Sequence, residues 1–134
     1  MIRVTFDTNI LVSAFLYSGN ERKVLEAAIQ GKLKSVTSPA ILHELGKVLA
    51  RLGVSEREVE GYLIGIMEVS EVFFPIKLSD VQIRDRKDIK ILECAHSGET
   101  EYIATGDEDL LSLGEYEGIK IVRSQEMLRL LQNV

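Results

Sequence analysis

Short β-branched runs alternate with helical apolar stripes from one end of the chain to the other, and this ordering restricts the fold more than any other feature. Ile2-Arg3-Val4-Thr5-Phe6 alternates like a strand and stops at the polar Asp7-Thr8-Asn9. The apolar run 10–17 suits a helix; beyond Ser18-Gly19-Asn20, Val24, Leu25, Ala28 and Ile29 recur at helical spacing until Gly31. Ser35-Val36-Thr37 predicts a strand, and Ser38-Pro39 places a capping residue before a first-turn proline. The stripe Ile41, Leu42, Leu45, Val48 and Leu49 follows and ends near Gly53, and Ser55 with Glu58 forms a capping box for the next helix. Val72-Phe73-Phe74 reads as a strand stopped by Pro75, with a loop over 77–84 and then a helix starting near Asp85 and carrying Ile91, Leu92 and Ala95 to Gly98. Strands at 102–105 and 119–122 and a last helix capped by Ser124 complete the order. The prediction is an α/β fold with a mostly parallel central sheet flanked by helices in three layers, whose ligand sites lie beyond the carboxyl ends of the strands.

At 134 residues and 46% hydrophobic, the chain has the material for one domain spanning 1–134. Its single cysteine, Cys94, cannot pair within the chain and supplies no thiolate metal site; beside Leu92 and Ala95 it reads as core packing. No apolar run approaches the roughly 20 residues of a membrane span, so a soluble cytoplasmic protein with no membrane partner is expected. A net charge of −5 lacks the signature of a protein that holds nucleic acid by bulk electrostatics. A polyanionic substrate then requires either a local basic patch or carboxylates that form a cation site.

Asp7 directly follows the first strand, and Asp107 with Asp109 directly follows the strand at 102–105. Each is consistent with an ordinary turn carboxylate. Parallel strands, however, bring both clusters to one rim, where the charges repel unless they share protons or a cation. Glu44 lies on the helix opened by Ser38, and Asp88 in the first turn of the helix starting near Asp85. Separately, Glu44 is explained as a solvated helix charge beside Lys47, and Asp88 as a complement to its helix's positive end. Together these acids form an all-oxygen set suited to a hard cation, Mg2+ or Mn2+.

Other chemistries fail on spacing. His43-Glu44 begins a zinc-protease pattern, but position 47 is Lys. Asp107-Glu108-Asp109 begins a calcium loop, yet Ser112 stands in place of its glycine and Gly118 in place of its closing glutamate. His96 shows no partner, and the glycines form no dinucleotide fingerprint.

Four stretches, in order, resemble the PIN-domain ribonucleases, and among them the VapC-like toxin components of toxin–antitoxin pairs. They are Phe6-Asp7-Thr8-Asn9-Ile10-Leu11-Val12-Ser13-Ala14; Ser38-Pro39 with Ile41, Leu42, Glu44 and Leu45; Asp88 with Ile91-Leu92-Glu93-Cys94-Ala95; and Ile103-Ala104-Thr105-Gly106-Asp107-Glu108-Asp109-Leu110-Leu111. The resemblance covers nearly the whole chain. It implies that Asp7, Glu44, Asp88 and Asp107 are the catalytic acids and metal ligands, with Asp109 auxiliary and Thr8, Asn9 and Thr105 as supporting polar groups. Asp85-Arg86-Lys87-Asp88 departs from the Asp-Pro-Asp-Asp found before the third acid in many relatives.

The implied activity is endoribonucleolytic hydrolysis assisted by one or two Mg2+ or Mn2+ ions, since bound divalent cations activate water and polarise phosphoryl oxygens. An RNA substrate, an antitoxin protein partner and a homodimer or higher oligomer are expected with it. Arg84, Arg86, Lys87 and Lys90 flank Asp88 and are candidates for holding backbone phosphates, or form a solvated charged helix end. The alternative is a regulatory or nucleic-acid-binding protein that keeps the fold without chemistry, or a phosphoaspartyl-type protein using Asp7, although Asn9 replaces the second aspartate that such a hydrolase places two residues on.

Overall fold

The computed structural model describes residues 1–75 and 88–132. Their elements run β1 (Arg3–Phe6), α1 (Thr8–Leu16), α2 (Asn20–Ile29), β2 (Lys34–Thr37), α3 (Pro39–Arg51), α4 (Glu56–Glu68), β3 (Ser70–Val72), α5 (Ile89–Ser97), β4 (Tyr102–Ala104), α6 (Glu108–Leu111), β5 (Glu115–Tyr116), β6 (Ile119–Val122) and α7 (Ser124–Gln132). The strands form one sheet in the order β3-β2-β1-β4-β6-β5, parallel throughout except for the antiparallel β5–β6 edge. The predicted α/β class, a mostly parallel sheet flanked by helices, is the one observed.

The centre of the sheet is buried on both faces, as parallel strands covered by helices must be. Val4, Val36 and Ile103 on the three middle strands are fully buried, and α3 and α5 add Ile41, Leu45, Leu49, Ile91 and Leu92 to the same core. Two pairs of hydroxyls meet on this sheet: the Thr5 and Thr100 hydroxyl oxygens lie 2.9 Å apart, and Ser70 donates to Ser35 at 2.8 Å. α5 lies against β1, β2 and β4, while α1 packs on α2 and α3 and α2 packs on α7. Cys94 sits in the core, where burial pushes its thiol up to about 11; it is inert packing, as expected.

Local signals place most element ends. Ser38 Oγ accepts from Ile41 N–H at 3.3 Å, and Ser55 Oγ accepts from Glu58 N–H at 3.2 Å while its own hydroxyl donates to the Glu58 carboxylate at 3.1 Å. Several boundaries depart from expectation. The third strand is Ser70–Val72, earlier than 72–74, because Ser70 and Val72 are in register with Ser35 and Thr37 at the sheet edge; Phe73 retains only an N–H bond to Thr37 O, and Phe74 is exposed. Ser124 does not cap the last helix: it is the first helical residue, and the carbonyl of Arg123 takes the opening bond from Met127 N–H. α5 follows directly on Asp88, which stands at its N-cap without a side-chain capping bond; a start near Asp85 falls outside the described residues. His96 does have a partner, Glu117, with Nδ1 and Oε2 2.8 Å apart.

The strand order reverses direction between β1 and β4. Successive strands β1, β2 and β3 proceed to one side, while β4, β6 and β5 occupy the other. Side chains just beyond β1 and β4 therefore border the crevice where open α/β sheets bind ligands.

Candidate metal and catalytic centre

Asp7 leaves β1 as its backbone N–H bonds to Ala104 O at 2.9 Å, so the end of β1 and the end of β4 are tied at the point where both acidic segments begin. Thr105, the first residue beyond β4, is fully buried and joins them through one oxygen. Its hydroxyl donates to Asp7 Oδ2 at 2.6 Å and accepts from Asp107 N–H at 3.0 Å. Asp107 spends Oδ1 on the start of α6, accepting from Asp109 N–H at 2.7 Å and Leu110 N–H at 3.4 Å. These bonds orient both carboxylates before any ligand arrives.

Asp88, Asp107 and Asp109 each place a carboxylate oxygen so that the three atoms lie within 4.8 Å of one another, Asp88 buried and the other two partly exposed. Asp7 stands beside this group. Burial pushes its carboxyl above the ordinary aspartate range, the Thr105 hydroxyl opposes that shift, and the negative charges of Asp107 and Glu44 reinforce it. Glu44, on α3, is thus close enough to act electrostatically on Asp7, although 37 positions of sequence separate them.

The structure therefore brings all five predicted acids, Asp7, Glu44, Asp88, Asp107 and Asp109, to one rim. Among the supporting polar residues, Thr105 has the linking role described; Thr8 is buried with its hydroxyl unpartnered among the described residues; Asn9 is exposed beside a cavity that Asp107 also lines. Lys90 does not stand free for a phosphate. Its Nζ lies 2.8 Å from Glu44 Oε2 in a part-buried pair, so the counter-ion of Glu44 is a lysine from α5 and not Lys47 on its own helix. Nothing local in the sequence announces this pairing, which depends on α3 and α5 packing together. Arg84, Arg86 and Lys87 fall outside the described residues.

The donor set fits a hard divalent cation: carboxylate oxygens only, clustered, with no sulfur or imidazole among them.

Comparison with known proteins agrees with this geometry. A family model described as "PIN domain" matches residues 3–109. An uncharacterized protein of Methanocaldococcus jannaschii, MJ1680, is 34% identical over 119 residues, which cover 84% of this chain and 75% of that protein. Among solved structures, PAE2754 from Pyrobaculum aerophilum superposes with a TM-score of 0.66 at 18% identity, covering 99% of this chain and 91% of its own. A chain of VapBC2 from Rickettsia felis, in a structure with a DNA fragment from their promoter, superposes with a TM-score of 0.61 at 14% identity, covering 90% of this chain and 97% of its own. At these identities the two structural likenesses concern the fold. The chain belongs to the PIN-domain family, a family of nucleases that generally work with divalent metal. Among the described residues, no helix is long and apolar enough to cross a membrane.

Proposed function

We propose that this protein is an endoribonuclease dependent on Mg2+ or Mn2+, acting in the cytoplasm as the toxin of a toxin–antitoxin pair. The observation that carries the hydrolytic reading is the convergence of acids from four separate segments at the β1–β4 crevice.

In this reading Asp88, Asp107 and Asp109 hold the ion, and Asp7 and Glu44 complete the acidic rim as a ligand or as anchors for a second ion. A divalent ion bound there supplies water activation and charge neutralisation on the phosphoryl group. The chain's own residues do the rest. Thr105 fixes Asp7 through one carboxylate oxygen and holds the Asp107 backbone through the same hydroxyl. Lys90 offsets the charge of Glu44, lowering the repulsion that a phosphodiester meets on entering. Arg84, Arg86 and Lys87 are assigned to backbone phosphates flanking the cleaved bond.

The toxin assignment is supported by membership of the PIN family and by fold likeness to the VapBC2 chain. It brings with it an antitoxin protein and a homodimer or higher oligomer. A small DNA-binding protein encoded next to this reading frame would supply the former, and sedimentation showing only monomer at high concentration would remove the latter.

Incubating single-stranded RNA with the protein, with manganese or with chelator, tests the activity. Cleavage is expected only with the metal and is expected to be lost in Asp7→Asn purified in parallel. Cleavage that persists in both chelator and variant would overturn the proposal. Replacing Arg86 and Lys87 by Ala should weaken RNA binding and lower its salt slope by up to about 2, while manganese affinity is retained.

A further inference from the structure

A cavity of about 380 Å³ opens beside the acidic centre and shares Thr105 and Asp107 with it. Its remaining lining is chemically unlike that centre. Beyond the one carboxylate of Glu21, the cavity presents the polar side chains of Asn9, Ser13, Asn20 and Gln125 and the guanidinium of Arg123. Two helices begin at its wall, α2 at Asn20 and α7 at Ser124.

Hydrogen-bonding capacity here is unspent. Among the described residues, the side chains of Ser13, Asn20 and Gln125 make no hydrogen bond. Ser124, only 4% exposed, lines the same cavity with a buried hydroxyl that has no partner among the described residues, and a buried polar group left in that state signals a ligand or solvent role. The N-cap of α2, Gly19, has no side chain to bond the first-turn N–H groups, and the carboxylate of Glu21 in that turn complements the positive end of the helix. Among the described residues Arg123 pairs with Glu108, both side chains largely exposed, a contact that an arriving phosphate can displace.

We infer that this cavity binds one nucleotide of the RNA strand, adjacent to the phosphodiester at the acidic centre, and reads its base. Arg123 and the amides opening α7 receive the phosphate; the carboxamides of Asn20 and Gln125 and the hydroxyl of Ser13 face the base edge. Carboxamides both donate and accept, the property that lets a side chain match one base edge and reject another. The volume falls within the range of small-ligand sites. Because the cavity shares Asp107 with the centre, a nucleotide held in it leaves the adjoining phosphodiester of the strand next to the acids, which makes the subsite a determinant of where the strand is cut. This inference rests on the ribonuclease reading and deepens it.

The test uses the double variant Asn20→Ala/Gln125→Ala, whose changes fall on exposed side chains that make no hydrogen bond among the described residues. Random-sequence RNA is digested in manganese and the cut ends are sequenced; in parallel, binding of four oligoribonucleotide pools, each with one base fixed and the rest random, is measured by fluorescence anisotropy in calcium. The native chain should favour one base next to the cut by about tenfold, the worth of one well-made base contact, and the variant should fall below about twofold. Manganese affinity, read by calorimetry, should be the same in both. RNA cut or bound with an unchanged base preference in the variant would overturn this inference and leave the ribonuclease reading standing. RNA neither cut nor bound by the native chain would overturn both. Manganese affinity lost with the base preference would show that these residues support the acids and do not form a subsite.

Discussion

β1 is four residues long, and its two ends solve opposite electrostatic problems. At the amino end, Arg3 is closely held: its guanidinium donates to Glu71 Oε2 at 2.8 Å and to Gly98 O at 2.8 and 3.1 Å, its carbon lies 5.8 Å from the centre of the Phe73 ring, and its backbone N–H bonds to Glu101. At the carboxyl end, Asp7 is buried with a single hydroxyl donor from a side chain and two further carboxylates acting on it. Opposite charges meet at one end and like charges at the other. The buried hydroxyls without partners among the described residues, those of Thr8, Thr37 and Ser124, all stand where strands end at the second rim. The amino-end rim is built to hold the sheet together; the carboxyl-end rim keeps charge and hydrogen-bonding capacity in reserve, and the first rim stabilises what the second leaves strained.

Changes to the two ends should therefore separate binding from stability. The largest effect is expected from Asp107→Asn, which removes a ligand charge and should weaken manganese more than about 100-fold, read by calorimetry, while the chain stays folded because the amide still caps α6. An unchanged affinity would remove Asp107 from the centre. Thr105→Val comes next. It breaks the bridge between Asp7 and the Asp107 backbone without touching a carboxylate, and should cost about 10- to 100-fold in manganese affinity, with Thr105→Ser restoring it.

At the opposite end, Gly98→Ala should leave manganese binding intact in the folded fraction and destabilise the chain by about 1–3 kcal/mol in denaturant titrations. The added Cβ would lie 2.4 Å from Val36 Cγ1 and 3.2 Å from the Phe73 ring. The smallest effect is the most specific to the comparison. Asp7→Asn should stabilise the metal-free chain at neutral pH by about 0.5–2 kcal/mol, as functional-site replacements commonly do. Its dependence on pH has a definite sign. Asp7's carboxyl is raised in the folded state, so the native chain takes up that proton more readily than the unfolded one. Its favourable contribution is complete below the unfolded value and is lost as pH rises through the folded one, so the advantage of the variant should shrink on acidification from neutrality. Glu71 responds with the opposite sign: the hydrogen bond from Arg3 lowers its carboxyl, and that contribution disappears as pH falls, weakly, because the group is exposed. A variant advantage that grows with acid would contradict the account of Asp7.

Much of the second rim was legible because chemistry there follows strand ends. Asp7 and Asp107 announce themselves by ending β-branched runs, and a parallel sheet brings such ends together. α6 and β5 were not legible. α6 has four residues and exists because Asp107 caps it, so Asp107-Glu108-Asp109 reads as a turn until its tertiary setting is known. β5 is two residues paired only with β6 through a reversal in which Glu117 and Gly118 take positive φ, and Gly118 was the only one of these with a sequence signal. The Lys90–Glu44 pair and the cavity beside Asp107 escaped for a common reason. Asn20, Arg123 and Gln125 carry no motif, and what assembles them is the packing of α2 on α7, a contact between segments about 100 positions apart in the chain.

The Thr105–Asp7 hydrogen bond spans 98 positions of sequence. It closes only when β4 docks on β1, a pairing of distant segments that is entropically among the slowest kinds to form. A growing polypeptide that has emerged only through β3 already has β1, β2, Asp7 and Glu44 but neither Thr105 nor the acids at 88, 107 and 109. The complete set of acids consequently exists only once both halves of the chain have docked, and a cut between the two segments that let them part would divide the site between its pieces.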